Sequence, residues 1–298
     1  MSRTDYSQAP ATRWLLRGAS IEVMPRTLAK ISDLRAILPA PRQVFVAHIE
    51  GTPIADMVDT ARRLRAEGFE PVPHIPARQV PDAATLADWL ARYRGEADVT
   101  SVLALAGSPA EAVGTFSDSM AVLDTGAFDA AGITAINVAG HPEGNRAIDV
   151  DGGERAVMEA ARWKQQFGER TGALVTMVTQ FVFEAQPVID WTERLAAEGI
   201  TLPVRVGLAG PARLQTLIRF GITCGVGASL GVLQRRAKDV TKLLKPQDPG
   251  PLLDAFASHG AGQTGSMIRG VHFFPLGGIA ATAETISRNQ SASGRPAA

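Results

Sequence analysis

The sequence is poor in several things at once. A single cysteine, Cys224, excludes an internal disulfide and any cysteine-built metal cluster. Net charge is absent: 30 Lys and Arg stand against 30 Asp and Glu, so no overall field exists to hold a nucleic-acid backbone or an anionic membrane. Nucleic acid is therefore not an expected partner. No stretch approaches the roughly eighteen apolar residues of a membrane-spanning helix, and residues 1–13 are polar, without the apolar centre of a secretory signal. Cytoplasmic residence, away from membranes, is the expectation. Walker, GxSxG and HExxH sequences are missing as well, which removes the usual support for triphosphatase, serine hydrolase and zinc protease chemistry.

What remains is a chain of 298 residues, 45% hydrophobic and 20% charged, the balance of a soluble globular protein with a sizeable core. Short apolar or β-branched runs alternate with longer stretches of Ala, Leu, Arg and Glu at helical spacing, the pattern of repeated βα units on a parallel sheet. Strands are predicted at Ala19–Val23, Gln43–His48, Glu70–His74, Val99–Leu105, Ala135–Ala139, Ala173–Thr179, Pro203–Gly207 and Gly270–Pro275. Helices are predicted at Ile54–Gly68, Asp82–Arg94, Gly153–Phe167, Gln186–Ala197 and Pro211–Phe220. Eight such units define an α/β fold, a single (β/α)8 TIM-type barrel, with an open doubly wound sheet as the alternative. The barrel is expected over residues 19–286, with an N-terminal extension, 1–18, and a flexible, Ser-, Gly- and Pro-rich tail, 287–298.

Barrel chemistry sits at the carboxyl ends of strands. The polar residues there are Glu22, His48, His74, Ser108, His141 with Glu143 and Asn145, Gln180 and His272. Glu22 stands between apolar neighbours, where partial burial would raise its pKa and suit it to proton donation; a surface carboxylate is the competing reading. Prolines on both sides stiffen the backbone at His74, either to aim a functional ring or to seat a structural one. The Gln180 amide offers a donor and an acceptor, as a heterocycle with mixed edges requires. His141 and Glu143, two residues apart, are too few for a metal site, and none is expected. Residues 225–229 form a glycine-rich turn without a GxGxxG fingerprint. Lys164 and Lys242 fall in helical patterns and are expected to be solvated, so no strand-end lysine supports a Schiff-base lyase.

Taken in order, Ser20-Ile-Glu22-Val-Met-Pro25, Pro73-His74-Ile, Leu105-Ala-Gly107-Ser108, Pro142-Glu143-Gly, Thr179-Gln180-Phe-Val-Phe183, Pro203-Val-Arg-Val-Gly207 and His272-Phe-Phe resemble the methylenetetrahydrofolate reductases. The resemblance spans about residues 19–276. It implies a flavin-containing barrel of one-carbon metabolism and methionine biosynthesis that reduces 5,10-methylenetetrahydrofolate to 5-methyltetrahydrofolate with NADH or NADPH. Glu22 falls at the place of the family's general acid, Gln180 and Phe220 where folate is bound. His74, Gly107, Ser108, Phe116, Ala139, His141, Asn145 and Lys164 fall where the FAD is held. The chain departs from the family at Ala106 and Ser108, which replace an Arg and an Asp, and at Phe116, His141 and Asn145, which replace Tyr, Tyr and His. Two charges are lost beside the flavin, so direct hydride delivery from the nicotinamide is the variant reading of the cofactor. A tetrahydrofolate-binding or methyl-transfer partner protein without reductase activity is the alternative function. The sequence identifies no subunit interface and does not choose between NADH and NADPH.

Overall fold

The computed structural model describes residues 14–38, 42–223, 246–260 and 265–292. Cys224, the glycine-rich segment 225–229 and Lys242 lie outside them. Eight strands close into a barrel: β1 Ser20–Val23, β2 Gln43–Val46, β3 Glu70–Pro76, β4 Ser101–Leu105, β5 Ala135–Gly140, β6 Leu174–Val182, β7 Val204–Ala209 and β8 Ile268–Phe274. The order around the barrel is β1-β8-β7-β6-β5-β4-β3-β2, with parallel pairing. The expected (β/α)8 barrel is thus the observed one, and the open sheet is excluded.

The strands form because short apolar runs are hidden on both faces, by the barrel interior and by the helical layer. A one-turn helix, Pro25–Leu28, follows β1, and the further helices are α1 Ile54–Ala66, α2 Ala83–Ala97, α3 Ser119–Leu123, α4 Ala127–Ala130, α5 Arg155–Thr171, α6 Gln186–Ala197, α7 Leu214–Thr223, α8 Gly250–Ser258 and α9 Ile279–Ala292. No helix among the described residues is long and apolar enough to cross a membrane.

The chain divides into two compact units. The first comprises Ser20–Ala139 and Glu159–Met177. In it α1 buries Met57, Val58, Ala61 and Leu64, and α2 buries Leu86, Leu90, Tyr93 and Ala97, each a single helical stripe. Asp82 starts α2 by accepting the Thr85 N–H at 2.7 Å. Strand β3 carries Pro71, Pro73 and Pro76. The Glu70 N–H donates to Arg42 O, so even-numbered residues of β3 bond toward β2 and odd-numbered ones toward β4. Pro71 and Pro73 therefore withhold donors only from β4, and pairing with β4 begins at His74 opposite Leu103.

The second unit is built from the described parts of Met1–Ala19, Gly140–Met158 and Val178–Ala298. Its β6 and β7 approach so closely that a Cβ on Gly207 would lie 2.5 Å from Thr179 O and 2.6 Å from Gln180 O. The Gly207 N–H donates to Thr179 Oγ1 at 2.9 Å. Phe181, Phe183, Ala209, Ala212, Leu214 and Leu217 form its apolar cluster.

Three sequence expectations need correction. The helix after β7 starts at Leu214 rather than Pro211, because Ala212–Arg213 pairs antiparallel with Pro246–Gln247. Helix α5 starts at Arg155 rather than Gly153, where the Asp149 carboxylate accepts the N–H groups of Ala156 and Val157 at 2.8 and 3.1 Å. The expected flexible tail is helical over its first six residues, 287–292, because α9 continues through it. Burial of Ala283 and Ile286 and a bond from Gln290 Nε2 to Leu16 O at 3.1 Å hold that helix down, which composition does not reveal.

Candidate functional site

Glu22 and His74 lie near the carboxyl ends of β1 and β3, alternate strands whose inward side chains share a layer of the barrel. His74 Nε2 is 3.3 Å from Glu22 Oε2, with side-chain exposures of 10% and 20%. The approach is electrostatic rather than an aligned hydrogen bond. The Phe45 ring meets the imidazole edge-on at 6.3 Å between centroids and supplies an apolar wall. The pair thus sets a carboxyl largely removed from water directly beside an imidazole.

His48, just past β2, is 7% exposed. Its Nε2 is 3.0 Å from Thr52 O, its ring is tilted against Trp89 at 5.1 Å, and its buried Nδ1 has no hydrogen-bond partner among the described residues. Burial, assisted by the neighbouring His74 and opposed by the Thr52 carbonyl, holds this imidazole below its ordinary pKa.

Lys164 corrects the expectation of a solvated lysine. Its side chain reaches inward from α5, is 5% exposed, and donates from Nζ to Ala139 O at 3.1 Å. Burial drives its pKa down from 10.5 to about 8, against the opposing pull of the Asp118 carboxylate. Asp118 itself accepts the N–H groups of Met120 and Ala121 at the start of α3.

The loop after β4 carries Gly107, Ser108 and Phe116. Gly107 has φ +98° and faces Pro76, so the turn needs glycine. Ser108 is exposed, whereas Phe116 is 8% exposed.

In the second unit, Asn145 Nδ2 lies 3.5 Å from His141 Nδ1 and Asn145 Oδ1 accepts the Ala147 N–H at 2.9 Å, so both residues shape the loop after β5. Gln180 is exposed at the end of β6, with Oε1 accepting the Phe181 N–H at 3.2 Å and its amide nitrogen donating to none of the described residues. Phe220 is half-buried against the apolar cluster, with the Arg219 guanidinium 5.3 Å from its ring. His272 is buried on β8 with its ring edge-on to Phe274 at 4.7 Å. A pocket lined by Thr192, Glu193, His259 and Met267 lies beside the amino end of β8. No cluster of three His, Cys, Asp or Glu able to hold a metal occurs among the described residues.

Sequence reasoning brought Glu22 and His74 forward and missed Arg78, whose side-chain partners are two distant backbone carbonyls, and Asp118, which accepts from the Ser117 hydroxyl and from the first N–H groups of α3.

Fold and site together define a (β/α)8 barrel with a carboxylate–imidazole pair near the carboxyl ends of its strands. The chain matches no family model. It is similar in structure to an uncharacterized protein from Clostridium thermocellum that binds two copies of 5-methyl-5,6,7,8-tetrahydrofolic acid, at 11% identity and a TM-score of 0.53 over 93% of this chain and 95% of that one. At that identity the likeness is one of fold.

Proposed function

We propose that the protein is a folate-dependent oxidoreductase that reduces 5,10-methylenetetrahydrofolate to 5-methyltetrahydrofolate with NADH or NADPH. The observation that carries this reading is the Glu22–His74 pair, 3.3 Å apart and mostly buried near the ends of β1 and β3. The folate bound by the Clostridium thermocellum barrel is the product such a reaction would form, which supports the substrate class.

The residues assigned to flavin by resemblance do not fit it well. Lys164 is buried and bonded to Ala139 O, and the β4 end, Ala106-Gly107-Ser108, carries no charge of its own for a phosphate. No step is therefore routed through flavin. Glu22 donates its proton to the folate nitrogen whose bond to the bridging methylene breaks, which leaves an iminium cation. The hydride of the reduced nicotinamide, with its electron pair, passes to that methylene carbon and completes the methyl group. His74 then exchanges a proton with Glu22 and readies it for the next turnover. Gln180, whose exposed amide nitrogen donates to none of the described residues, is assigned to the pterin ring, and Phe220 to apolar contact with the folate.

The test is NADH and NADPH oxidation by desalted protein with methylenetetrahydrofolate, with and without FAD. Folate-dependent oxidation without FAD is expected, and Glu22→Gln should lower kcat by about 10²- to 10⁴-fold while tetrahydrofolate affinity stays within about threefold. Stoichiometric FAD in the purified protein would refute the flavin-free route. Folate binding without oxidation of either nucleotide would favour the second reading, a tetrahydrofolate-binding or methyl-transfer partner, to which the uncharged β4 end also points.

A further inference from the structure

Arg78 lies in the 3-10 turn Ala77–Gln79 that follows β3, on the same side of the barrel as the Glu22–His74 pair. Its backbone N–H donates to Ala106 O and its carbonyl accepts the Val113 N–H, both at 2.9 Å. Its side chain is fixed along the same loop: Nε donates to Ser117 O at 2.8 Å and Nη1 to Pro109 O at 3.0 Å. Two neutral carbonyls orient the guanidinium. No carboxylate pairs with it among the described residues, and Nη2 donates to none of them. The group is half-buried, so its charge is neither paired with a carboxylate of the described residues nor fully hydrated. It also lies against the loop that begins at the uncharged Ala106-Gly107-Ser108, and a Cβ on Gly107 would sit 3.0 Å from Pro76 Cβ, so the two turns lie side by side.

We infer that Arg78 is an anion-binding residue that supplies, from the turn after β3, the positive charge the β4 end lacks, and that its ligand is the phosphate-bearing part of the nicotinamide dinucleotide. A planar guanidinium anchored at two nitrogens presents its remaining N–H groups in a fixed direction, the geometry suited to phosphate oxygens. The inference rests on the reductase reading above and adds to it the residue that recognises the hydride donor.

The experiment measures binding of NADH, NADPH, FAD, tetrahydrofolate and two compounds without phosphate, reduced nicotinamide riboside and riboflavin. The proteins are the wild type, Arg78→Met and Arg78→Lys, each confirmed as folded by circular dichroism. Arg78→Met should weaken NADH and NADPH by about 10- to 100-fold, the range for losing a charge-assisted hydrogen bond. Arg78→Lys should recover part of the loss, and reduced nicotinamide riboside and tetrahydrofolate should be unaffected. Equal weakening of NADH and its riboside would overturn the inference, since Arg78 would then only hold the loop. A loss confined to FAD or to tetrahydrofolate would overturn the nicotinamide assignment. Wild-type turnover with normal NADH binding by Arg78→Met would refute the role of Arg78 alone. A wild type that binds neither dinucleotide and shows no turnover would remove the reductase reading together with it.

Discussion

Replacing Lys164 by Met tests the burial of a lysine that the sequence pattern places in solvent. Burial lowers the Lys164 pKa from 10.5 to about 8, a native-state cost to the cation of about 3 kcal/mol at roughly 1.4 kcal/mol per pH unit. The folded pKa lies below the unfolded one, so between about pH 8 and 10.5 the unfolded chain binds more protons and wild-type stability rises with pH. Lys164→Met preserves most of the volume and abolishes the titration, but it leaves Ala139 O without the Nζ donor. That loss costs about 1–3 kcal/mol. At pH 7 the two effects oppose, and the variant should equal the wild type or exceed it by up to about 2 kcal/mol. At pH 10.5 the neutral wild-type amine still donates to Ala139 O, and the variant should be the less stable by about 1–3 kcal/mol. The stability difference should therefore swing by about 3 kcal/mol across the window. Urea unfolding followed by tryptophan fluorescence at several pH values reads it directly. A difference constant to within about 1 kcal/mol from pH 7 to 10.5 would show that Lys164 titrates as an exposed amine, and the reasoning would fall.

Two further outcomes are expected. Gly207→Ala should destabilise by about 1–3 kcal/mol, because β6 and β7 must part to admit the methyl group; an unchanged Tm would show that the contact yields freely. The His48 pKa lies below that of the unfolded chain, so its contribution is complete above pH 6.5 and is lost as acid is added below it. NMR titration should place the His48 midpoint below 6.5, and His48→Phe should lessen acid sensitivity; a midpoint at or above 6.5 contradicts the burial argument.

The eight strands were legible because each is a short apolar run closed by glycine, proline or a polar turn, and a barrel strand hidden on both faces needs little else. Glu22 and His74 were legible because both are polar residues in otherwise apolar strand ends. Lys164 was not, since helical spacing does not tell how far a long side chain reaches beneath its own helix. Arg78 was hidden for a different reason: its carbonyl partners, Pro109 and Ser117, lie 31 and 39 residues away and have no sequence signature. The helical start of the expected tail was obscured by composition, because Ser and Asn weaken the local signal while Ile286 and Gln290 anchor the helix through tertiary contacts.

The prolines of β3 have a consequence for how the barrel assembles. A slip by one residue would turn Pro71 and Pro73 toward β2, whose ladder with β3 runs from Gln43 to Val46, and would strip donors from that ladder. It would also send every β3 side chain to the opposite face. The native alignment is the one in which the missing N–H groups fall before the pairing with β4 begins. Strand β3 is thus self-indexing: two residues without chemistry of their own disfavour the misaligned barrel, and so decide that the His74 side chain faces Glu22.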